Sequence, residues 1–225
     1  MVGPSSQYES SGWLIRFRYR IAKLIYDAMF VILVRAGNWE EEIIESLAPK
    51  AGDRVFYLGP GGPYTAVSLA FRYPEAIFIT LAPNSKTAGK VRSKVERSNI
   101  WNLSIVVGPP SGTLPFDPNS LDKAVCVLAL HDASPAEKVG IVREIARIVR
   151  RDGALVVADF DKPESAGEGG MLEFARRISG SDAIAPHADG SWVDFLAKGG
   201  FARVRRQSSH SIGIGRITVV KARRY

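Results

Sequence analysis

Short apolar runs alternate with longer amphipathic stretches along most of the chain. Val55 to Leu58 is the first such run. It breaks into a glycine-rich turn at Gly59, Gly61 and Gly62, and a helical pattern (T-A-V-S-L-A-F) opens near Tyr64. Ala76 to Leu81 reads as a second strand, Ser85 to Arg97 as a helix and Leu103 to Val107 as a third strand. A fourth run, K-A-V-C-V-L-A-L-H, ends at His131. The next helix ends in R-E-I-A-R-I-V-R-R-D-G (Arg143 to Gly153), and a fifth strand, A-L-V-V-A-D-F, finishes at Phe160. Strands alternating with helices predict a three-layer α/β/α, Rossmann-like domain with a mostly parallel sheet. Asp161 to Gly190 reads as a long loop holding one short helix, Met171 to Ile178. Ser191 to Lys198 reads as a helix capped near Ser191 and closed by Gly199-Gly200. Phe201 to Arg206 and Arg216 to Ala222 are the last two strands, paired antiparallel. They complete a seven-stranded sheet with one antiparallel strand near the C-terminus.

The N-terminal stretch breaks this rhythm, so residues 1–38 are set apart as a helical extension from a domain at 39–225. Gly12 to Ala36 reads as one helix or two, with Arg16, Arg20, Lys23 and Asp27 on one helical stripe. Phe17, Ile21, Leu24, Ile25, Phe30 and Val31 fill much of the remainder. Lys23 and Asp27 interrupt any window long enough to span a bilayer, and no small-residue cleavage site closes the run. Two readings stay open for residues 13–35: a basic amphipathic helix lying on an anionic membrane surface, or a lid whose apolar face is core. Both suit a protein that is cytoplasmic and peripheral to a membrane.

Strand, glycine turn and helix together present main-chain N–H groups to a nucleotide-like ligand. The turn Gly59-Pro60-Gly61-Gly62 is neither G-x-G-x-x-G nor a P-loop, because no Gly-Lys-Ser/Thr follows. The segments L-P-F-D-P-N-S-L-D (Leu114 to Asp122) and R-E-I-A-R-I-V-R-R-D-G are more specific. With the succession of elements they resemble the UbiE-like, type 11 branch of the class I S-adenosylmethionine (SAM)-dependent methyltransferases, from about Glu41 to Arg223. The resemblance implies SAM as cofactor and a small, lipophilic methyl acceptor, quinone- or lipid-like. It places the cofactor against Tyr57, Gly59, Gly61, Gly62, Leu81, Ala82, Asn84, Gly108, Pro109 and Leu128.

The chain departs from that family at four places. Tyr57 stands where an acid usually precedes the first glycine, and Pro63 replaces the third glycine. Ala82 stands where an acid holds the ribose hydroxyls, and Gly108-Pro109 replaces Gly-Asp. Asn84 or Ser85 can substitute in part. An unpaired buried hydroxyl costs on the order of 1–3 kcal/mol, so these losses weaken cofactor binding. They open a second reading, a methyltransferase-fold protein that serves as a binding or structural subunit without turnover, with a protein partner.

His131 and Asp132, just past the fourth strand, are the candidates for polar chemistry, because ligands of open α/β sheets bind outside the carboxyl ends of strands. His131 there can act as a base or orient an acceptor hydroxyl, or else cap the next helix. Asp159 ends the fifth strand and faces the same region, unless it only fixes the following loop. Tyr8, Trp13, Tyr19 and Tyr26 either line a pocket or pack as core. With 46% hydrophobic residues in 225, the chain can bury a sizeable core. Its single cysteine, Cys126, excludes an intrachain disulfide, and three histidines lack metal-ligand spacing. The net charge of +7 gathers in the N-terminal stripe and at Arg203, Arg205, Arg206, Arg216, Lys221, Arg223 and Arg224. No nucleic-acid-binding module accompanies it, and nucleic acid is not an expected partner.

Overall fold

A computed structural model describes residues 39–59, 63–82, 84–108 and 112–225. The extension at 1–38, with the membrane or lid reading of 13–35 and the aromatics Tyr8, Trp13, Tyr19 and Tyr26, lies outside the described residues. So do the cofactor candidates Gly61, Gly62 and Pro109.

Seven strands form one sheet: β1 (Arg54–Leu58), β2 (Ile77–Ala82), β3 (Leu103–Val107), β4 (Leu121–Val127), β5 (Val149–Phe160), β6 (Phe201–Ser211) and β7 (Arg216–Arg224). Their order is β3-β2-β1-β4-β5-β7-β6. Neighbours from β3 to β5 are parallel, and β7 runs antiparallel to both β5 and β6. The expected mostly parallel sheet is present, with its antiparallel strand inserted between β5 and β6. The helices are α1 (Trp39–Leu47), α2 (Pro63–Arg72), α3 (Ser85–Arg97), α4 (Pro135–Ile148), α5 (Gly170–Ser179), α6 (Ser181–Asp189) and α7 (Asp194–Lys198).

The central strands are apolar on both faces because helices cover both. Phe56, Leu58, Cys126, Leu155, Val157 and Val220 share one core with Val142 and Ile145 of α4, Trp192 and Leu196. Lys221 points to the opposite face, where its Nζ donates to Ser46 O of α1 at 2.6 Å. Helix starts follow local chemistry. Pro63 occupies the first helical position of α2, where its missing N–H has no intrahelical partner to lose. Ser134 and Glu137 form a capping box at α4, with Pro135 in the first turn.

Three local expectations are corrected. Residues 181–189 form α6 rather than loop, with Pro186 inside the helix; buried Ala183, Ile184 and His187 recur on one face, and tertiary packing overrides the Ser, Gly and Pro signals. Ser191 supplies no side-chain cap. A 3₁₀ turn, Ser191–Val193, precedes α7, and the Ser191 N–H donates to Asp189 Oδ1 at 2.8 Å. R-R-D-G does not end a helix: α4 stops at Ile148 and β5 begins at once. Pairing with β4 is interrupted after Leu121↔Val149 and resumes at Lys123↔Ala154. A Cβ on Gly153 would lie 2.5 Å from Val149 Cγ1 and 2.6 Å from Asp122 O, so only glycine fits this bulge.

Candidate functional site

The register sets Leu58 beside Cys126 and Val127 beside Ala158, so the carboxyl ends of β1, β4 and β5 lie side by side. Gly59 leaves β1 against this edge. A Cβ there would sit 2.6 Å from Val127 O and 3.0 Å from Tyr57 Oη. The glycine is therefore required by its own neighbours, apart from any ligand. Tyr57 is fully buried, and burial pushes its phenol well above the usual range, opposed by a hydrogen bond with Thr65. Thr65 Oγ1 in turn donates to Glu40 Oε1 of α1 at 2.7 Å. Where the resemblance expects an acid on β1, a neutral phenol is tied through Thr65 to an acid on a helix. The sequence reading missed Glu40, since nothing local links residue 40 to residue 65.

Leu81 and Ala82 are buried at the end of β2. Gly108 N–H donates to Ala82 O at 3.0 Å, which joins the ends of β2 and β3. A Cβ on Gly108 would meet only Leu81 Cδ1, at 3.6 Å, so its glycine is not forced by packing among the described residues. Asn84 caps α3, its Oδ1 accepting the Thr87 N–H at 2.9 Å. That carbonyl is committed to the helix. Gly108 leaves room at the ends of β2 and β3, where Leu81, Ala82, Asn84 and Gly108 offer no carboxylate.

Beyond β4 the chain turns sharply at Leu128, whose φ of 49° is left-handed. That conformation costs a branched residue roughly 1–2 kcal/mol. It is held by burial and by the Leu128 N–H, which donates to Ala158 O at 2.7 Å. The turn carries residues 129–132 over the end of β5 and onto Asp159. This carboxylate is fully buried. It accepts from Leu130 N at 2.8 Å, Phe160 N at 2.8 Å and His131 Nδ1 at 3.0 Å. Asp159 therefore fixes the segment preceding it in space, after β4, rather than the loop after β5. Its proximity assigns the Nδ1 proton of His131 to the shared bond and leaves Nε2 toward Asp132 Oδ2, 3.5 Å away.

Burial opposes charge on both members of this pair, but their mutual attraction wins. His131 is raised above the usual imidazole range, and Asp159 is held at about 2. The pair titrates as a unit. His131 does not cap α4; Ser134 does that. Asp132 is half-exposed at the rim, accepting from Ser179 Oγ at 2.7 Å. Three further polar groups gather here that were not singled out in the sequence. Lys138 is buried, with Nζ donating to Ala133 O and to Ala183 O (2.7 Å for the latter), and burial lowers it to about 8. His187 lies 6.3 Å from His131 between ring centroids, stacks on Trp192 at 5.4 Å, and contacts Phe160 O through Nδ1 at 2.7 Å. Trp192 Nε1 donates to Asp161 Oδ1 at 3.0 Å, and Asp161 pairs with Arg206. His187 was hidden because it sits on α6, the helix that reads as loop.

A family model described as "Methyltransferase domain" matches residues 56–157. A demethylmenaquinone methyltransferase of Tropheryma whipplei is 24% identical over 151 residues, covering 66% of this chain and 60% of its own length. The chain thus matches less than two thirds of that relative. The YcgJ structure from Bacillus subtilis superposes with a TM-score of 0.63 at 16% identity, covering 82% of this chain and 97% of that one. A structure described as "PigF with SAH" gives 0.67 at 16% identity, over 95% and 70%. Residues 56–157 thus match the methyltransferase-domain model, and the chain shares the fold of these solved structures.

Proposed function

We propose that this protein transfers a methyl group from SAM to a small, apolar ring bearing an ionisable hydroxyl. The observation that carries the reading is the buried His131–Asp159 pair at the carboxyl ends of β4 and β5, on the same edge as the end of β1. SAM, when bound, supplies an electrophilic methyl on a sulfonium. What the chain supplies is alignment, dryness and one polar handle. Asp159 holds the His131 ring and stabilises its protonated form. His131 Nε2 takes, or shares, the proton of the acceptor hydroxyl, which makes the ring more nucleophilic. That handle is itself buried away from water. The names of the demethylmenaquinone methyltransferases support a quinone-like acceptor.

A second reading, a cofactor-fold subunit without turnover, is favoured by the neutral ends of β2 and β3 and by the capping role of Asn84. Calorimetric titration with SAM, followed by mass spectrometry of a naphthoquinol incubated with protein and SAM, separates the two. The enzyme reading expects SAM binding, methyl gain by the ring, and loss of that gain in His131→Asn with SAM affinity kept. Absence of SAM binding in the wild type leaves the subunit reading standing.

A further inference from the structure

Four cations on the last two strands have no role in the site above. Arg203, Arg205, Lys221 and Arg223 converge with Gln207 on a concavity of about 310 Å³, on the α1 face of the sheet at its β6 edge. Register pairs Arg205 with Lys221 and Ala202 with Arg223, so the four positions form a compact frame. Residues two apart on a strand lie about 7 Å apart, and neighbouring strands about 4.8 Å.

Two observations separate this cluster from ordinary surface charge. The first is how its members are held. Most other arginines in ordered contacts face carboxylates: Arg72 on Glu41, Arg147 on Glu144, Arg150 on Asp122, Arg176 on Glu173, Arg206 on Asp161 and Arg216 on Glu168. Three of the four here are positioned by neutral acceptors. Arg203 Nε donates to Tyr225 Oη at 3.1 Å and lies over that ring at 5.7 Å. Arg223 Nη1 donates to Asp152 O at 3.0 Å, and Lys221 Nζ to Ser46 O at 2.6 Å. Arg205 makes no ion pair among the described residues. Side chains fixed by neutral partners keep their full charge for something else. Burial, and next the charges of Arg223 and Lys123, push the Lys221 ammonium below its usual range.

The second observation is backbone strain. Pairing of β6 with β7 is irregular between Ala202 and Arg205, and Arg203 in that bulge has φ of 49°. A left-handed non-glycine residue costs about 1–2 kcal/mol. Bulges of this kind re-aim a side chain, and this one lets Arg203 share the concavity with Arg205.

We propose that this concavity binds a soluble oligophosphate, such as a di- or triphosphate group. Several phosphates within one small volume match several converging cations, and guanidinium groups bind phosphate oxygens in pairs. A concave cluster of converging cations suits a compact soluble ligand better than a flat bilayer. The site is independent of methyl transfer.

The test uses inorganic triphosphate and the full chain in calorimetry at about 150 mM salt. Wild type is expected to bind one equivalent. The double variant Arg205→Gln/Arg223→Gln is expected to lose at least about tenfold in affinity, with an unchanged melting temperature because both residues are exposed. Lys90→Gln/Arg92→Gln removes the same charge from the exposed face of α3 and is expected to stay within about twofold. Equal losses in both double variants would reduce the effect to net charge and overturn the site. Absence of wild-type binding overturns it too. So does arginine-dependent binding to phosphatidylglycerol vesicles without binding of triphosphate, which would assign the patch to a membrane.

Discussion

Two buried histidines within 6.3 Å of each other titrate in opposite senses, and the difference is a direct hydrogen bond to a carboxylate. His131 shares a proton with Asp159 and is raised; His187 meets only a carbonyl through Nδ1, and burial lowers it to about 4. The unfolded imidazole titrates near 6.5. For His187 the unfolded chain binds more protons between about 6.5 and 4, so stability falls as pH drops through that window, by up to about 1.4 kcal/mol per unit. For His131 the contribution is full below about 6.5 and is lost as pH rises through its raised value. His187→Phe keeps a ring against Trp192 and should flatten the melting temperature between pH 6.5 and 4.5; an unchanged slope would assign the acid sensitivity to another group. Asp159→Asn removes the charge that raises His131. NMR titration should then find the His131 pKa below the wild-type value, and thermal melts should show a loss of a few kcal/mol, since the buried Leu130 and Phe160 N–H groups and His131 lose a charged acceptor. His131 and Asp159 were both legible as candidates because each sits at the end of an apolar run. Their contact was not, because it spans adjacent strands 28 residues apart.

At the scale of elements, helix caps and strand ends carry the recognisable information. α3 was placed to the residue from sequence, since Asn84 precedes an amphipathic run and Arg97 ends it. Asn84→Ala should cost about 1 kcal/mol through the lost cap, measurable by denaturant unfolding; a null effect would free the Asn84 amide for another role. α6 was unreadable for the converse reason: its signals are those of turns, and only the core behind Ile184 and His187 makes it helical. The end of β2 gives the sharpest prediction at this scale. Ala82→Asp places a carboxylate where the family resemblance expects one, but in a buried position. The unliganded variant should melt lower than wild type, while SAM should raise its melting temperature by more than it raises the wild type's. If SAM shifts both equally, residue 82 is not at the ribose.

At the scale of the molecule, the alternation of strands and helices made the three layers and the parallel core legible. The position of β7 was not deducible from periodicity, because β6 and β7 are each amphipathic enough for an edge. The structure gives the interior place to β7, whose Ile217, Val219, Val220 and Ala222 are fully buried, and leaves the basic, bulged β6 outside. Such charged, irregular edges resist pairing with another chain. Val220→Asp should therefore cost more than about 3 kcal/mol, since it buries an unpaired carboxylate and loosens two strands at once; circular-dichroism melts would detect the loss of a cooperative transition. The insertion of β7 also sets the spatial order of the sheet against the temporal order of synthesis. On the ribosome, β6 emerges before β7, yet it has no native partner until β7 has been made. In that interval the hydrogen-bonding edge of β5 stays open, lined by Leu155, Val156 and Val157. A nascent chain stalled near Gly215 should thus be the form that holdase chaperones recognise, and release of the next ten residues should end that recognition.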